Sequence, residues 1–123
     1  MKILCLGNEF IEEDSFAIKV SKILNNLGFK TISIIDSFQL MEHLTDENIT
    51  IIDVVKNLNK TTLIKSSDIK SDSILTAHDF DAGYIINLLG NKEKIKIIGI
   101  PSTGNLEEIS NEIKQILDSL YSD

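Results

Sequence analysis

Patterns typical of buried strands and of amphipathic helices alternate along this chain of 123 residues. Short runs of apolar, often β-branched residues are typical of buried strands, whereas apolar residues three or four positions apart are typical of helices that bury one face. The apolar runs predict strands over residues 3–6, 31–35, 49–55, 60–65 and 95–100. The helical spacing predicts helices over residues 16–27, 38–44, 79–89 and 106–120.

This alternation predicts one α/β domain over residues 1–123. Strands that are apolar along their whole length are typical of a parallel sheet covered by helices on both faces. The strand at residues 60–65 follows the preceding strand after only a few residues, so we expect an antiparallel hairpin partner at the sheet edge. The predicted fold is therefore a three-layer domain with a mainly parallel five-stranded sheet and an antiparallel edge strand.

Capping residues mark the ends of two predicted helices. Asp14 or Ser15 is expected to cap the helix after the first strand, and Gly28 is expected to end it. The segment 102–104, with Asn105, is expected to form the turn and cap that open the last helix.

Composition excludes several classes of function. The formal net charge is −7 and all twelve basic residues are lysines, which argues against a general binder of nucleic acid. The chain has no apolar stretch of the roughly 18 residues that a membrane span needs. Its single cysteine, Cys5, cannot form a disulfide within the chain, which is typical of a reducing compartment. We therefore expect a cytoplasmic protein that binds neither nucleic acid nor membrane.

Acidic and imidazole side chains occur at three places next to the predicted strands and helices. The acids of residues 12–14 follow the first strand, Asp53 lies near the end of the third, and His78 precedes the helix at 79–89. Parallel sheets place their sites at the carboxyl ends of strands, so these residues are expected to meet at one edge. Two carboxylates and an imidazole suit a divalent ion such as Ni²⁺ or Zn²⁺.

The residue types alone leave a structural role open for these positions. Asp after a buried strand is common as a turn or helix cap, and His78 can be a simple turn residue. The other histidine, His43, is expected on the surface of a short helix. Cys5 lies inside a buried strand, where a cysteine behaves as a small apolar residue and its thiol pKa rises, so a nucleophilic role is not expected.

Three segments resemble the hydrogenase maturation endopeptidases, and together they span nearly the whole chain. Residues 3–14 (ILCLGNEFIEED) resemble that family's opening strand, Gly-x-Gly-Asn turn and paired acids. Residues 50–55 (TIIDVV) are similar to the strand that carries a metal-binding Asp. Residues 76–80 (TAHDF), the helix after them and residues 97–101 (IIGIP) are similar to the Ser-x-His turn, helix and Gly-Ile/Val-x-Pro strand end.

The resemblance implies an endopeptidase that removes a C-terminal extension from the nickel-loaded precursor of a hydrogenase large subunit. Carried over position by position, the metal-binding residues are Asp14, Asp53 and His78. The nickel is supplied by the substrate, and Zn²⁺ or Cd²⁺ could occupy the same site in the isolated protein. The partner implied is the precursor itself.

Departures from the family pattern favour an alternative, a non-catalytic relative that binds a metal or a partner protein. Cys5 stands where the family has its first turn glycine, and residues 15–17 (SFA) stand where a glycine usually follows the acids. The chain is also short for the family.

A receiver-like signalling domain is a second alternative. Its paired acids and strand Asp would correspond to Glu13, Asp14 and Asp53. However, Ile100 stands where such domains place a lysine before the proline, and His78 has no role in that interpretation. A dinucleotide-binding domain is not expected, because the turn after the first strand lacks the G-x-G-x-x-G pattern.

Overall fold

The computed structural model describes residues 2–7, 12–35, 37–43, 48–55, 58–65 and 95–121. In chain order the elements are β1 (Lys2–Leu6), α1 (Glu12–Asn26), β2 (Thr31–Ile34), α2 (Ser37–His43), β3 (Ile49–Val54), β4 (Thr62–Lys65), β5 (Ile95–Ile100) and α3 (Leu106–Tyr121). The helix predicted over residues 79–89 and the turn at His78 lie outside the described residues.

The strands form one five-stranded sheet in the order β2-β1-β3-β5-β4. The pairs β1–β2, β1–β3 and β3–β5 are parallel, and β4 runs antiparallel to β5 at the edge. The predicted mainly parallel sheet with an antiparallel edge strand is confirmed.

The predicted hairpin between the third and fourth strands is wrong, because β4 pairs with β5 instead of β3. The register runs from Thr62 opposite Gly99 to Lys65 opposite Lys96. Every residue of β3 is buried, and so is nearly all of β5, so these two apolar strands take neighbouring central positions. The short β4, whose Thr62 and Leu63 are partly exposed, is suited to the sheet edge.

Helices cover both faces of the sheet, as predicted, and each face has its own apolar core. On one face, here called the α1/α3 face, α1 and α3 pack against alternate strand residues. The buried residues there are Ile3, Cys5, Ile52, Val54, Ile98 and Ile100 of the strands with Ala17, Val20, Leu24, Ile109, Ile113 and Leu117 of the helices. On the other, the α2 face, they are Leu4, Ile34, Leu40, Ile49, Ile51, Val55, Ile95 and Ile97.

Helix α1 begins earlier than predicted. Its first residue is Glu12, so the expected cap at Asp14 or Ser15 is wrong and Asp14 lies inside the first turn. Three consecutive acids at this end of the helix suit the positive end of the helix dipole, which favours an earlier start.

The end of α1 forms as predicted around a glycine. Gly28 has a φ of 99°, and its N–H bonds to the carbonyl of Asn25. The N–H of Phe29 bonds to the carbonyl of Leu24 at 3.0 Å, which completes a Schellman motif. Leu27, whose spacing puts it on the apolar face of the helix predicted over residues 16–27, lies past the last helical residue and is 45% exposed, so that part of the prediction is wrong.

Helix α3 is held at both ends. Asn105 caps it, since its side-chain oxygen accepts from the N–H of Glu108 at 2.9 Å, as predicted. At the other end, the hydroxyls of Tyr121 and Thr50 hydrogen-bond at 2.6 Å and tie the helix to β3. Within the part of the chain that the structure describes, none of the helices has the length and apolar character needed to cross a membrane.

Candidate functional site

The carboxyl ends of the parallel strands lie along one side of the sheet, here called the carboxyl edge. The end of β3 and the start of α1 both lie there. Strands β1 and β3 are parallel neighbours, with Cys5 opposite Ile52, so both end at this edge. The far end of α1 lies at the opposite edge, because the N–H of Thr31, which opens β2, donates to the Asn25 side chain at 2.9 Å. The first turn of α1 therefore lies at the carboxyl edge, as the sequence predicted.

Asp53 is the fifth residue of β3 and is only 3% exposed. It alternates with Ile51 and Val55, both of which lie in the core of the α2 face, so its side chain belongs to that face. Buried carboxylates are retained in proteins where they are hydrogen-bonded, paired or bound to a metal. Burial thus distinguishes Asp53 from the solvent-exposed acids of α3.

The structure describes less of the other two predicted metal ligands, Asp14 and His78. Asp14 is the third residue of α1, and α1 packs on the α1/α3 face, so its backbone reaches the edge from the side opposite to Asp53. His78 lies outside the described residues. Among the residues that the structure describes, no three His, Cys, Asp or Glu side chains form a group that could hold a metal ion. The metal-binding role of Asp14, Asp53 and His78 remains a prediction.

The sequence shows Gly99 only as part of the strand-end motif and does not place it directly opposite Asp53, where it lies in the β3–β5 pair. On its other side Gly99 pairs with Thr62 of β4, whose hydroxyl donates to the carbonyl of Lys60 at 2.9 Å. The available signal was a glycine inside an otherwise isoleucine-rich strand, a position that often marks close approach of a ligand or of another backbone.

Cys5 is enclosed on the α1/α3 face, with no exposed surface. Burial raises the pKa of its thiol to about 12, and hydrogen bonds with the hydroxyls of Ser21 and Thr31 offset only part of that rise. Those two hydroxyls also hydrogen-bond to each other. The thiol is therefore protonated near neutral pH and out of reach of a substrate, which agrees with the prediction that Cys5 is not a nucleophile.

The strand order decides against a receiver-like domain. Doubly wound folds of that type have the order 2-1-3-4-5 with parallel strands. Here β5 lies between β3 and β4, and β4 is antiparallel. The receiver-like interpretation of Glu13, Asp14 and Asp53 is therefore wrong.

Comparison with known proteins finds solved structures that resemble this chain. No family model matches this chain, and no curated protein sequence does. The chain is similar to the solved structure of the [NiFe] hydrogenase maturation protease HybD from Thermococcus kodakarensis, with a TM-score of 0.67, 22% identity and coverage of 98% of this chain and 99% of that one. It is also similar to an uncharacterized protein from Wolinella succinogenes, with a TM-score of 0.63, 17% identity and 96% coverage of both chains. At these identities the likeness shows a shared α/β fold.

Proposed function

We propose that this chain is an endopeptidase that removes a C-terminal extension from the nickel-loaded precursor of a hydrogenase large subunit. The observation that carries the proposal is the fold shared with a [NiFe] hydrogenase maturation protease over 98% of this chain. Two further observations support it. The family-like segments 3–14, 50–55 and 76–80 occur in the family's order, and the first turn of α1 lies at the same sheet edge as Asp53.

In this proposal Asp14, Asp53 and His78 bind the nickel ion that the precursor already contains. Carboxylate oxygens and an imidazole nitrogen are suitable ligands for such a divalent ion. The ion belongs to the substrate, and binding it positions the adjoining C-terminal segment for cleavage. Zn²⁺ or Cd²⁺ is expected to use the same ligands in the isolated protein. Because Asp53 is only 3% exposed, its ligation to any of these ions needs a local rearrangement of the residues around it.

The reaction is the hydrolysis of one peptide bond. The oxygen of water adds to the scissile carbonyl carbon, the C–N bond breaks, and the departing amine takes a proton. A bound divalent ion can polarise that carbonyl or lower the pKa of a water. The chain itself contributes orientation, since its ligands hold the precursor so that the scissile bond lies at the carboxyl edge of the sheet. The proposal places this reaction in the cytoplasm.

A second candidate is a non-catalytic relative that binds a metal or a partner protein. The burial of Asp53 favours it, because a carboxylate on an open surface would meet a protein-bound metal more readily. The departures at Cys5 and Ala17 carry less weight, since both side chains are fully buried in the core of the α1/α3 face. Their effect on the carboxyl edge is therefore indirect.

The test is to incubate the purified protein with a nickel-loaded large-subunit precursor and to follow the precursor's mass. We expect loss of a C-terminal segment with the wild type and no loss with Asp14→Ala or His78→Ala. Lys22→Ala is a suitable control, since Lys22 is an exposed residue of α1 distant from its first turn. A folded wild-type protein that leaves such precursors intact would favour the non-catalytic relative.

A further inference from the structure

A groove of about 230 Å³ lies between the edge strand β4 and helix α3, on the α1/α3 face of the sheet. It is lined by Leu63 of β4 and by Gln115, Ile116, Ser119 and Leu120 of α3. Pockets that enclose a small ligand have about 300–1,000 Å³. This groove is smaller and is formed by two elements at the side of the sheet, so it suits one apolar side chain of a larger partner.

Strand β4 offers backbone groups beside this groove. Among the described strands it is last in the order and pairs with β5, so its other side presents N–H and C=O groups without a neighbouring strand. An extended peptide can add to such an edge as a further strand, and its alternate side chains then lie on one face of the sheet. The side chain beside Leu63 would enter the groove, because Leu63 lines it.

Two acids continue the groove side of α3 toward the carboxyl edge. Glu112 lies four residues before Ile116, and Glu108 lies four residues before Glu112. Residues four apart are neighbours on a helix surface, so both acids lie on the side of α3 that lines the groove. Because α3 starts after the carboxyl end of β5, Glu108 is nearer to the carboxyl edge than the apolar part of the groove.

The charges of these two acids are not balanced within the described chain. The helix dipole favours Glu108 in the first turn of α3, but it does not reach Glu112, and like charges four residues apart repel. Within the described ranges neither carboxylate has an ion-pair partner, whereas Lys114 and Asp118 of the same helix pair at 2.9 Å. A partner with Lys or Arg would relieve the repulsion. A second copy of this chain, with its net charge of −7, would increase it.

We propose that β4 and the groove bind an extended segment of the precursor that carries an apolar residue and, two positions nearer the carboxyl edge, a lysine or arginine. Residues two apart in a strand are about 6.8 Å from each other. Glu112 and Ile116, four apart in a helix, are separated by about 6 Å along its axis. The apolar side chain therefore contacts Leu63 and Ile116 while the basic one lies beside Glu112.

The identity of the partner in this inference rests on the proposed function. A segment bound along β4 runs toward the carboxyl edge, where the scissile bond lies in that proposal. The groove itself is on the α1/α3 face, and Asp53 lies on the α2 face. Docking at the groove is therefore separable from recognition of the metal.

The experiment measures binding of the nickel-free precursor to the purified protein by biolayer interferometry, so that neither the metal nor cleavage contributes. Glu112→Lys reverses one charge, and Ser119→Trp fills the groove from an exposed position. The matched controls are Glu107→Lys, an exposed position roughly 140° around α3 from Glu112, and Lys22→Trp, an exposed position on α1.

We expect the wild type to bind this precursor, with a Kd that rises at least tenfold in Glu112→Lys and Ser119→Trp and less than twofold in both controls. The wild-type Kd should also rise between about 50 and 300 mM salt, because exposed charges are screened. With the nickel-loaded precursor, Glu112→Lys should raise KM at least tenfold and keep kcat, since docking contributes equally before and during the reaction.

Three outcomes would overturn the inference. The first is wild-type Kd values for Glu112→Lys and Ser119→Trp, and the second is no binding of the nickel-free precursor by the wild type. The third is a wild-type dimer in light scattering that Ser119→Trp converts to a monomer, because a second copy would then occupy the groove. If both variants lose binding and the nickel-loaded precursor is never shortened, the peptidase proposal fails and the docking surface stands.

Discussion

The two faces of the sheet hold their buried polar groups in different ways. On the α1/α3 face, Cys5 is hydrogen-bonded by Ser21 and Thr31, and Thr50 is hydrogen-bonded by Tyr121. These contacts join helices to strands and leave the thiol enclosed. On the α2 face, Asp53 lies at the carboxyl edge next to a glycine. The comparison teaches that burial alone does not mark a functional residue, and that Asp53 differs from Cys5 in lying where the parallel strands end.

The largest expected effect comes from Asp53→Asn, which keeps the shape of the side chain and removes its charge. If the carboxylate binds the metal of the precursor, processing should fall by about 100-fold or more, because changing residues that only support a metal ligand already costs about 10- to 100-fold. The measurement is the initial rate of precursor shortening. Thr50→Val, a change on the other face of the same strand, should keep the rate within about twofold. Normal processing by Asp53→Asn would show that the Asp53 carboxylate has no part in the reaction, and the contrast between the two faces would then carry no functional meaning.

The Cys5 thiol should make the free energy of unfolding depend on pH in the alkaline range, and it should have no role in precursor processing. Because burial raises the thiol pKa to about 12 in the folded protein, from an ordinary value of 9.0, the unfolded chain loses this proton first. The stabilisation is complete below pH 9.0 and is lost as the pH rises toward 12. The free energy of unfolding should fall by up to about 1.4 kcal/mol per pH unit across that window.

Urea unfolding of the wild type and of Cys5→Ala at several pH values measures this contribution. The variant should lack the additional slope above pH 9.0, and it should process the precursor normally. Parallel pH profiles for the two proteins would contradict an enclosed thiol. Loss of processing in Cys5→Ala, with its fold intact, would instead assign a functional residue to the α1/α3 face.

Tyr121→Phe should have the smallest effect of the three. It removes the 2.6 Å hydrogen bond to Thr50, which should lower the free energy of unfolding by about 1 kcal/mol. A double-mutant cycle with Thr50→Val separates this bond from other effects of each change. Precursor processing should not change. Additive effects in the cycle would show that the hydroxyl pair contributes nothing to holding α3 on the sheet.

Local sequence patterns were enough to predict most of the fold. The apolar runs of β3 and β5 and the cap at Asn105 are determined by neighbouring residues, so they could be predicted without the structure. The partner of β4 could not, because nothing near residues 60–65 shows that β5 takes the place beside β3. The exposure of Leu27 was missed because it depends on where α1 ends, one residue earlier.

The candidate site was predictable only as far as the general rule for parallel sheets applies. That rule places the first turn of α1 and Asp53 at one edge, and the structure agrees. The burial of Asp53 and its pairing with Gly99 depend on strand order and register, which the residues do not specify locally. The ligand role of Asp14, Asp53 and His78 stays a prediction.

The most direct test compares nickel-loaded and nickel-free forms of one large-subunit precursor in the same assay. The proposal predicts that the wild-type protein shortens the nickel-loaded form by a C-terminal segment and leaves the nickel-free form at full mass. Shortening of both forms at equal rates would contradict recognition of the metal. Shortening of neither form by the folded protein would contradict the peptidase activity itself.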